Sequence, residues 1–496
     1  MKSFYLLAAC CLMFGVSKAQ TPQTMSLIRQ ITHPQPMTGL VLWPDEAEDR
    51  DATYGKSIQL EFSYCLPCKV VTGCETNGTI LYDWSSFDQL LEEVASRGHQ
   101  LVARFRYEYP SGTDVDGKKG TTAVPEYIKQ RSDYNETYAS NPGGDGPTYY
   151  ADWSNVELQR FTLQFYADFV SRYAHDPRLA FLEVGFGHWA EYHIYGTKLR
   201  LGVNFPSKDF QKQFFLHMSA VADGLPWLVS IDAADDEYSP VVDDNEMMAL
   251  SFGLFDDSFM HKDHEIGSSD GYNEECWNAI GRGTRWQQGV CGGEISYYKA
   301  SDQKNFLNPA GMYGHTWEEQ AAKYHITFMI ANDAPGSTYG TPQRFFDGSM
   351  ATGYRFVVKE CMTDFSANPD PSSPDVGSGT TRLLVTNEGI APIYRDAYFA
   401  IGDVRSTETL LGLLPGEERW IEIAAPLADP DALHIVSDCI LPTQEIEFEA
   451  SINVIVTGIH TPVVDDNNPP YYNLSGQPVS HPIKGIFIRQ GRKVVF

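Results

Sequence analysis

The chain of 496 residues carries 37 Lys and Arg against 65 Asp and Glu, a formal net charge of −28. So acidic a surface argues against nucleic acid and anionic membranes as partners, and the length accommodates about two to three domains with one large core. Beyond the N-terminus no stretch approaches the roughly 20 apolar residues that span a bilayer.

Lys2, the apolar run from Phe4 to Val16 and the small residues of Ser17-Lys18-Ala19 before Gln20 form a secretory signal over residues 1–19,. The expected location is therefore secreted, periplasmic or cell surface. Cys10 could be a lipoprotein acylation site, but too few apolar residues precede it. Removing Lys2 and Lys18 takes the formal charge from −28 to −30. Of the cysteines that remain, Cys65, Cys68 and Cys74 cluster. Structural zinc needs a fourth ligand that is not nearby, so a local disulfide is expected.

From Gly39 onward, short apolar runs alternate with amphipathic stretches,. Leu40 to Trp43, ended by Pro44, reads as a first strand, and Ile58 to Tyr64 as a second. A helix opens after Tyr82-Asp83-Trp84, capped by Asp83 or Ser85, with Phe87, Leu90, Leu91 and Val94 on one face,. Gln100 to Tyr107 is the third strand. The long segment from 108 to 152, rich in Gly, Pro, Asn and Tyr, is too long for a plain connection and is expected to serve function or to be partly mobile. Asp152-Trp153-Ser154 caps the next helix, whose Leu158, Phe161, Phe165 and Phe169 form a core stripe,.

Phe181 begins a fourth strand that turns abruptly into a polar stretch, Gly185 to His193, holding Trp189, Glu191 and two histidines. Trp227 to Asp232, Ala249 to Phe255, Gln288 to Ile295 and Ile326 to Ala331 follow as the fifth to eighth strands, the last preceded by a helix from Thr316 to about Tyr324. Eight strands with intervening helices predict a closed (β/α)8 TIM barrel over 35–350. After about Tyr354 helical periodicity gives way to short strands between Pro- and Ser-rich loops, which predicts an all-β sandwich over 351–450. Residues 451–496 form a tail that resembles the C-terminal tails of secreted Bacteroidota proteins, a resemblance that implies an export or surface-retention role.

Catalytic groups of such barrels sit where strands end. That rule selects Trp43, Arg104, Tyr107, His188, Trp189, Glu191, His193, Asp232, Asp256 with Asp257, Glu294 and Asn332. Glu191 and Glu294 follow strands four and seven, across the mouth from one another. A pair of carboxyl groups is what glycosidic hydrolysis requires, one protonating the leaving oxygen and the other attacking carbon or activating water. Gly292 and Gly293 are expected to let backbone and ligand approach beside Glu294. The alternative for Glu294 is an ion pair with Arg104 or Arg106. Asp235-Asp236-Glu237 and Asp243-Asp244 read as solvated acidic loops in preference to calcium ligands. His261, Asp263 and His264 lack a ligand spacing, so no metal and no cofactor is assigned.

Trp84-Ser85-Ser86-Phe87-Asp88, Arg97 to Arg104, Gly187-His188-Trp189-Ala190-Glu191 and Gly292-Gly293-Glu294-Ile295 together resemble a family of secreted Bacteroidota barrels of unknown function with an all-β domain behind the barrel. In layout this is similar to clan A glycoside hydrolases such as the β-galactosidase-like enzymes. The resemblance implies Glu191 as acid/base and Glu294 as nucleophile. It further implies a poly- or oligosaccharide ligand held by Trp43, Arg104, Tyr107, His188, Trp189, His193, Asp232, Asp256 and Asn332. Two positions depart from the clan pattern, Ala190 where Asn precedes the acid/base and Ala331-Asn332-Asp333 where a tryptophan is common. The alternatives are a non-catalytic glycan-binding protein and metal-dependent hydrolysis.

Overall fold

The computed structural model describes residues 23–113, 115, 117–262, 271–365, 379–458, 471–473, 478–479, 484–489 and 492–495. The signal segment, Asp263 and His264 lie outside them. Eight parallel strands close a barrel in chain order: β1 (Gly39–Leu42), β2 (Leu60–Cys65), β3 (Gln100–Phe105), β4 (Leu179–Val184), β5 (Trp227–Ser230), β6 (Gly253–Phe259), β7 (Cys291–Ile295) and β8 (Phe328–Ile330). β8 returns to β1 through Phe328 beside Gly39 and Ile330 beside Val41. Burial on both faces explains why these strands read as continuous apolar runs.

The helices pack outside. Val156–Tyr173 places Phe165 and Phe169 against Phe105 and Phe169 against Phe87, with Phe161 packed on Phe165 and Tyr127. Its cap is Asn155, which accepts from the Leu158 amide, whereas Asp152 accepts from the Ser154 amide and shapes the preceding turn. The expected cap thus lies one turn too early. Trp317–Lys323 begins with a capping box between Thr316 and Glu319,. Pro44, read as a strand end, also stands at the start of the helix Pro44–Tyr54, where a missing N–H costs nothing,.

The sixth strand begins at Gly253, four residues after the expected Ala249, because Asn245–Met248 forms a helical turn that occupies the approach. Register then shifts between Asp256 and Phe259. Such a bulge re-aims side chains at a barrel rim.

Outside the barrel, Gln23–Arg29 joins a five-stranded sheet with Phe448–Gly458, Phe356–Phe365, Gly379–Asn387 and Glu418–Ile423. The first segment of the described chain therefore completes the β module that follows the barrel. A three-stranded sheet of Tyr398–Ile401, Val404–Arg405 and Leu433–Val436 shares its apolar core through Phe399, Leu433 and Ile435. This module meets the end of the barrel where strands begin. Gln100 donates to the Cys439 carbonyl at 2.9 Å, and Arg395 donates to the carbonyls of Gly224 and Ala174. The opposite end, where strands finish, is left to the loops. The segment from 108 to 152 carries a short hairpin, Thr137–Ala139 with Thr148–Tyr150.

The expected disulfide does not form: Cys65, Cys68 and Cys74 are thiols, as are Cys276, Cys291, Cys361 and Cys439. Cys65 is buried in β2 with its Sγ donating to the Ser63 carbonyl, while the Cys74 Sγ accepts from Arg160. Their side chains are committed to different surroundings.

The N-terminal strand tests how the β module is held. Leu27 is fully buried and Ile28 is 67 % exposed. Leu27→Ala is expected to lose about 2–5 kcal/mol in denaturant unfolding, and Ile28→Ala to stay within about 0.5 kcal/mol.

Candidate active site

Alternation along the strands points every second side chain into the barrel. Val102, Arg104 and Arg106 share one face of β3 and the residue after it; Phe181 and Glu183 share one face of β4. Phe62 and Tyr64 do so on β2, and Phe255 and Asp257 on β6. The lower positions are apolar, with Phe181 and Phe328 stacked at 5.5 Å. Above them the interior becomes charged.

Arg104 is completely buried and spans the interior. Its Nε donates to Glu183 at 2.6 Å, and its two terminal nitrogens donate to Asp257 at 2.6 and 3.1 Å. The guanidinium also lies 4.0 Å from the Phe255 ring centre, and it donates to the Trp189 carbonyl at 3.4 Å. Against the pull of burial, Asp257 and Glu183 keep Arg104 protonated well above its usual range. Burial pushes the Glu183 carboxyl up to about 7 despite Arg104.

On one side of this bridge lies an acidic cavity of ≈ 330 Å³. Glu191, Asp232, Asp235, Glu237, Asp256 and Asp257 line it, together with His193 and the tyrosines 195, 238, 272 and 298. Burial, then the charges of Asp257 and Asp232, hold Glu191 well above the usual carboxylate range. His193 Nδ1 hydrogen-bonds Asp232 and lies 3.7 Å from Glu191. Ligand atoms of Glu191, His193 and Asp232 fall within 4.8 Å of one another, so this trio could hold a divalent cation,. Asp256 accepts from the Ser258 amide and from Asn273, which anchors the β6 bulge.

On the other side stand Trp43, Tyr64 and Trp189, with ring centres 5.9 Å apart between the first two and 5.8 Å between the last two. Trp189 and Ala190 have φ of 59° and 63°. This left-handed pair turns the chain back so that Glu191 faces the mouth. A Cβ at Gly185 would meet the Ala190 carbonyl oxygen at 1.6 Å, so only glycine fits beneath the turn,.

Glu294 is the penultimate residue of β7 and has no partner for its buried Oε1. Burial, then the charge of Asp257, raises its pKa well above the usual range. The arginine pair weighed for it does not form, because Arg104 is taken by Glu183 and Asp257. Glu294 is not part of the wall of the acidic cavity; it stands near Asp257 and Arg104 from the β7 side. Gly293, at φ 141°, approaches Asp256, whose backbone oxygen a Cβ would meet at 2.1 Å. The close approach expected there is therefore to the neighbouring strand.

Three selected residues do other work. Tyr107 points outward, donates or accepts with Thr162 at 2.8 Å and packs on Trp153. Strand parity puts it opposite Arg106. His188 is fully buried between Asp145 at 3.0 Å and Tyr150 at 3.3 Å, and burial pushes its imidazole down to about 4. It ties the 108–152 segment to the β4 turn. Asn332 accepts from the Trp43 amide at 3.2 Å, fastening the ends of β8 and β1. Sequence reasoning passed over Glu183, Tyr64 and the cavity tyrosines. Glu183 was legible from its two-residue spacing to Phe181, but Tyr195, Tyr238 and Tyr298 come from loops without periodicity and Tyr272 from the start of the helix Tyr272–Gly281.

No protein-family profile and no curated protein sequence matches the chain. Among solved structures it resembles endo-glycoceramidase II from Rhodococcus sp., at 10 % identity and TM-score 0.41, over 79 % of this chain and 99 % of that one. The catalytic domain of β-amylase from Paenibacillus polymyxa matches at 12 % identity and TM-score 0.37, over 64 % and 99 %. The cold-adapted β-galactosidase from Rahnella sp. R3 matches at 12 % and 0.37, over 69 % and 60 %. These neighbours are glycoside hydrolases, and the likeness concerns the fold.

Arg104→Met leaves Glu183 and Asp257 without their cation and is expected to lose roughly 3–5 kcal/mol in denaturant unfolding. Glu183→Gln, which leaves Asp257 on Arg104, should lose less by the same measurement.

Proposed function

We propose that the protein hydrolyses glycosidic bonds of a poly- or oligosaccharide, with Glu191 as proton donor and Glu294 as the second carboxylate. The observation that carries this reading is the pair itself: two glutamates, one after β4 and one near the end of β7, neither in an ion pair with an arginine and each close enough to Asp257 for its charge to raise the pKa. A general acid must hold its proton near working pH, and burial with Asp257 and Asp232 favours that state of Glu191. Glu294 has an open oxygen for an attacking role. Developing positive charge on a sugar ring beside it would favour its ionised form, as Arg104 already does,. Trp43 and Trp189 supply apolar faces for sugar rings. The proposal extends to export of the protein, with residues 1–19 as signal, 35–350 as the catalytic barrel and, of the tail expected at 451–496, only the part beyond the sheet strand that ends at Gly458 as a surface-retention or export segment.

A second reading, metal-assisted hydrolysis, is favoured by the convergence of Glu191, His193 and Asp232. In it Glu191 would be a ligand instead of an acid. Dialysis against EDTA separates the two: unchanged turnover supports the proton donor, whereas loss restored by a divalent cation supports the metal.

Purified protein screened on aryl glycosides and polysaccharides should release reducing ends. Glu191→Gln and Glu294→Gln should each lower turnover at least about 100-fold; wild-type rates in both would refute the roles. Because the Glu191 pKa is raised, its acid form persists above the usual carboxylate range. Activity is expected to fall as pH rises through that raised value, and Glu191→Gln should remove this alkaline limb from the profile.

A further inference from the structure

Arg104 and Arg106 point the same way from one end of β3, and they live under opposite conditions. Arg104 has two carboxylates. Arg106 is only 6 % exposed, yet its Nε and Nη1 have no hydrogen-bond partner, and among the described residues it has no ion pair. A desolvated charge without a counter-charge is costly. What surrounds it are aromatic faces, with its guanidinium carbon 4.0 Å from the Tyr64 centre, 4.3 Å from Tyr109 and 4.9 Å from Trp189. Tyr109 also shares a hydrogen bond with it. Cation–π contact returns part of the cost, but it satisfies neither orphan nitrogen. Burial accordingly pushes its pKa down.

The nearby acids do not answer it. Asp257 is committed to Arg104. Glu108 is fully buried, forms no ion pair with Arg106 among the described residues, and accepts from the Ala151 amide at 3.4 Å instead. The guanidinium is thus packed among aromatic rings with two buried donors uncommitted.

We propose that Arg106 receives an anionic substituent of the sugar ligand, the carboxylate of a uronic acid or a sulfate ester. This deepens the reading above, resting on it for the sugar but not for cleavage. A guanidinium offers parallel N–H donors that match a carboxylate or sulfate edge, while Tyr64, Tyr109 and Trp189 give the ring an apolar face. The six carboxylates of the adjoining cavity repel an anion,. The charged ring is therefore admitted at the β3 side of the mouth only, which sets the direction in which the glycan lies.

The test is binding. Titrating the protein with glucose, glucuronate and glucose 6-sulfate, followed by tryptophan fluorescence and calorimetry, should give a Kd at least tenfold lower for one of the anions than for glucose. The two anion arms separate carboxylate from sulfate. Arg106→Gln should erase that preference, and Arg106→Lys, which keeps the charge in the fold, should retain it in weakened form. Equal affinity for all three sugars, or an anion preference that survives Arg106→Gln, would overturn the proposal. Oligosaccharide digests distinguish it from the hydrolytic reading: cleavage of neutral glycans without anion preference sinks the Arg106 site alone. Arg106-dependent anion binding in a protein that cleaves nothing sinks only the hydrolase.

Discussion

A buried guanidinium bridging two carboxylates is the interaction on which the barrel mouth depends. Arg104 ties β3 to β4 through Glu183 and to β6 through Asp257. Removing three charges from water carries a desolvation cost that an apolar trio would avoid. What the arrangement provides in return is position. Strands that are not neighbours in the sheet are fastened across the interior, and Asp257 is held beside both Glu191 and Glu294. Burial raises the pKa of each glutamate, and the negative charge of Asp257 raises it further.

The mouth consequently has two unlike halves. Towards β5 and β6 it is a carboxylate-lined hollow rimmed with tyrosine hydroxyls. Towards β1 to β4 it is aromatic, with a second guanidinium that has no carboxylate of its own. Such a surface suits a ligand with apolar ring faces and many hydroxyls, with charge permitted in one place. The left-handed turn at Trp189 and Ala190 joins the halves, since it presents an indole to one side and the next residue, Glu191, to the other. Backbone in that region is costly for residues with a Cβ, and the buried His188 between Asp145 and Tyr150 helps to hold it.

Much of the architecture was legible along the chain. Each of the eight apolar runs became a barrel strand, because a strand buried on both faces must be apolar throughout and short, and helices between them show their own period. The shift at β6 escaped because a helical turn of the same apolar composition preceded it. The N-terminal strand escaped because a single half-apolar segment, Gln23–Arg29, has no signature apart from the sheet that receives it.

Residue types and their places at strand ends follow from local pattern: parity along β3 and β4 is enough to send Arg104 and Glu183 inward together. Which carboxylate Arg104 takes, whether Glu294 is left open, and which of Asp256 and Asp257 faces the centre are matters of three-dimensional neighbourhood. They depend on a bulge and on distances between strands more than 70 residues apart in the chain. Pairing of charges is a through-space property, and linear order carries no record of it.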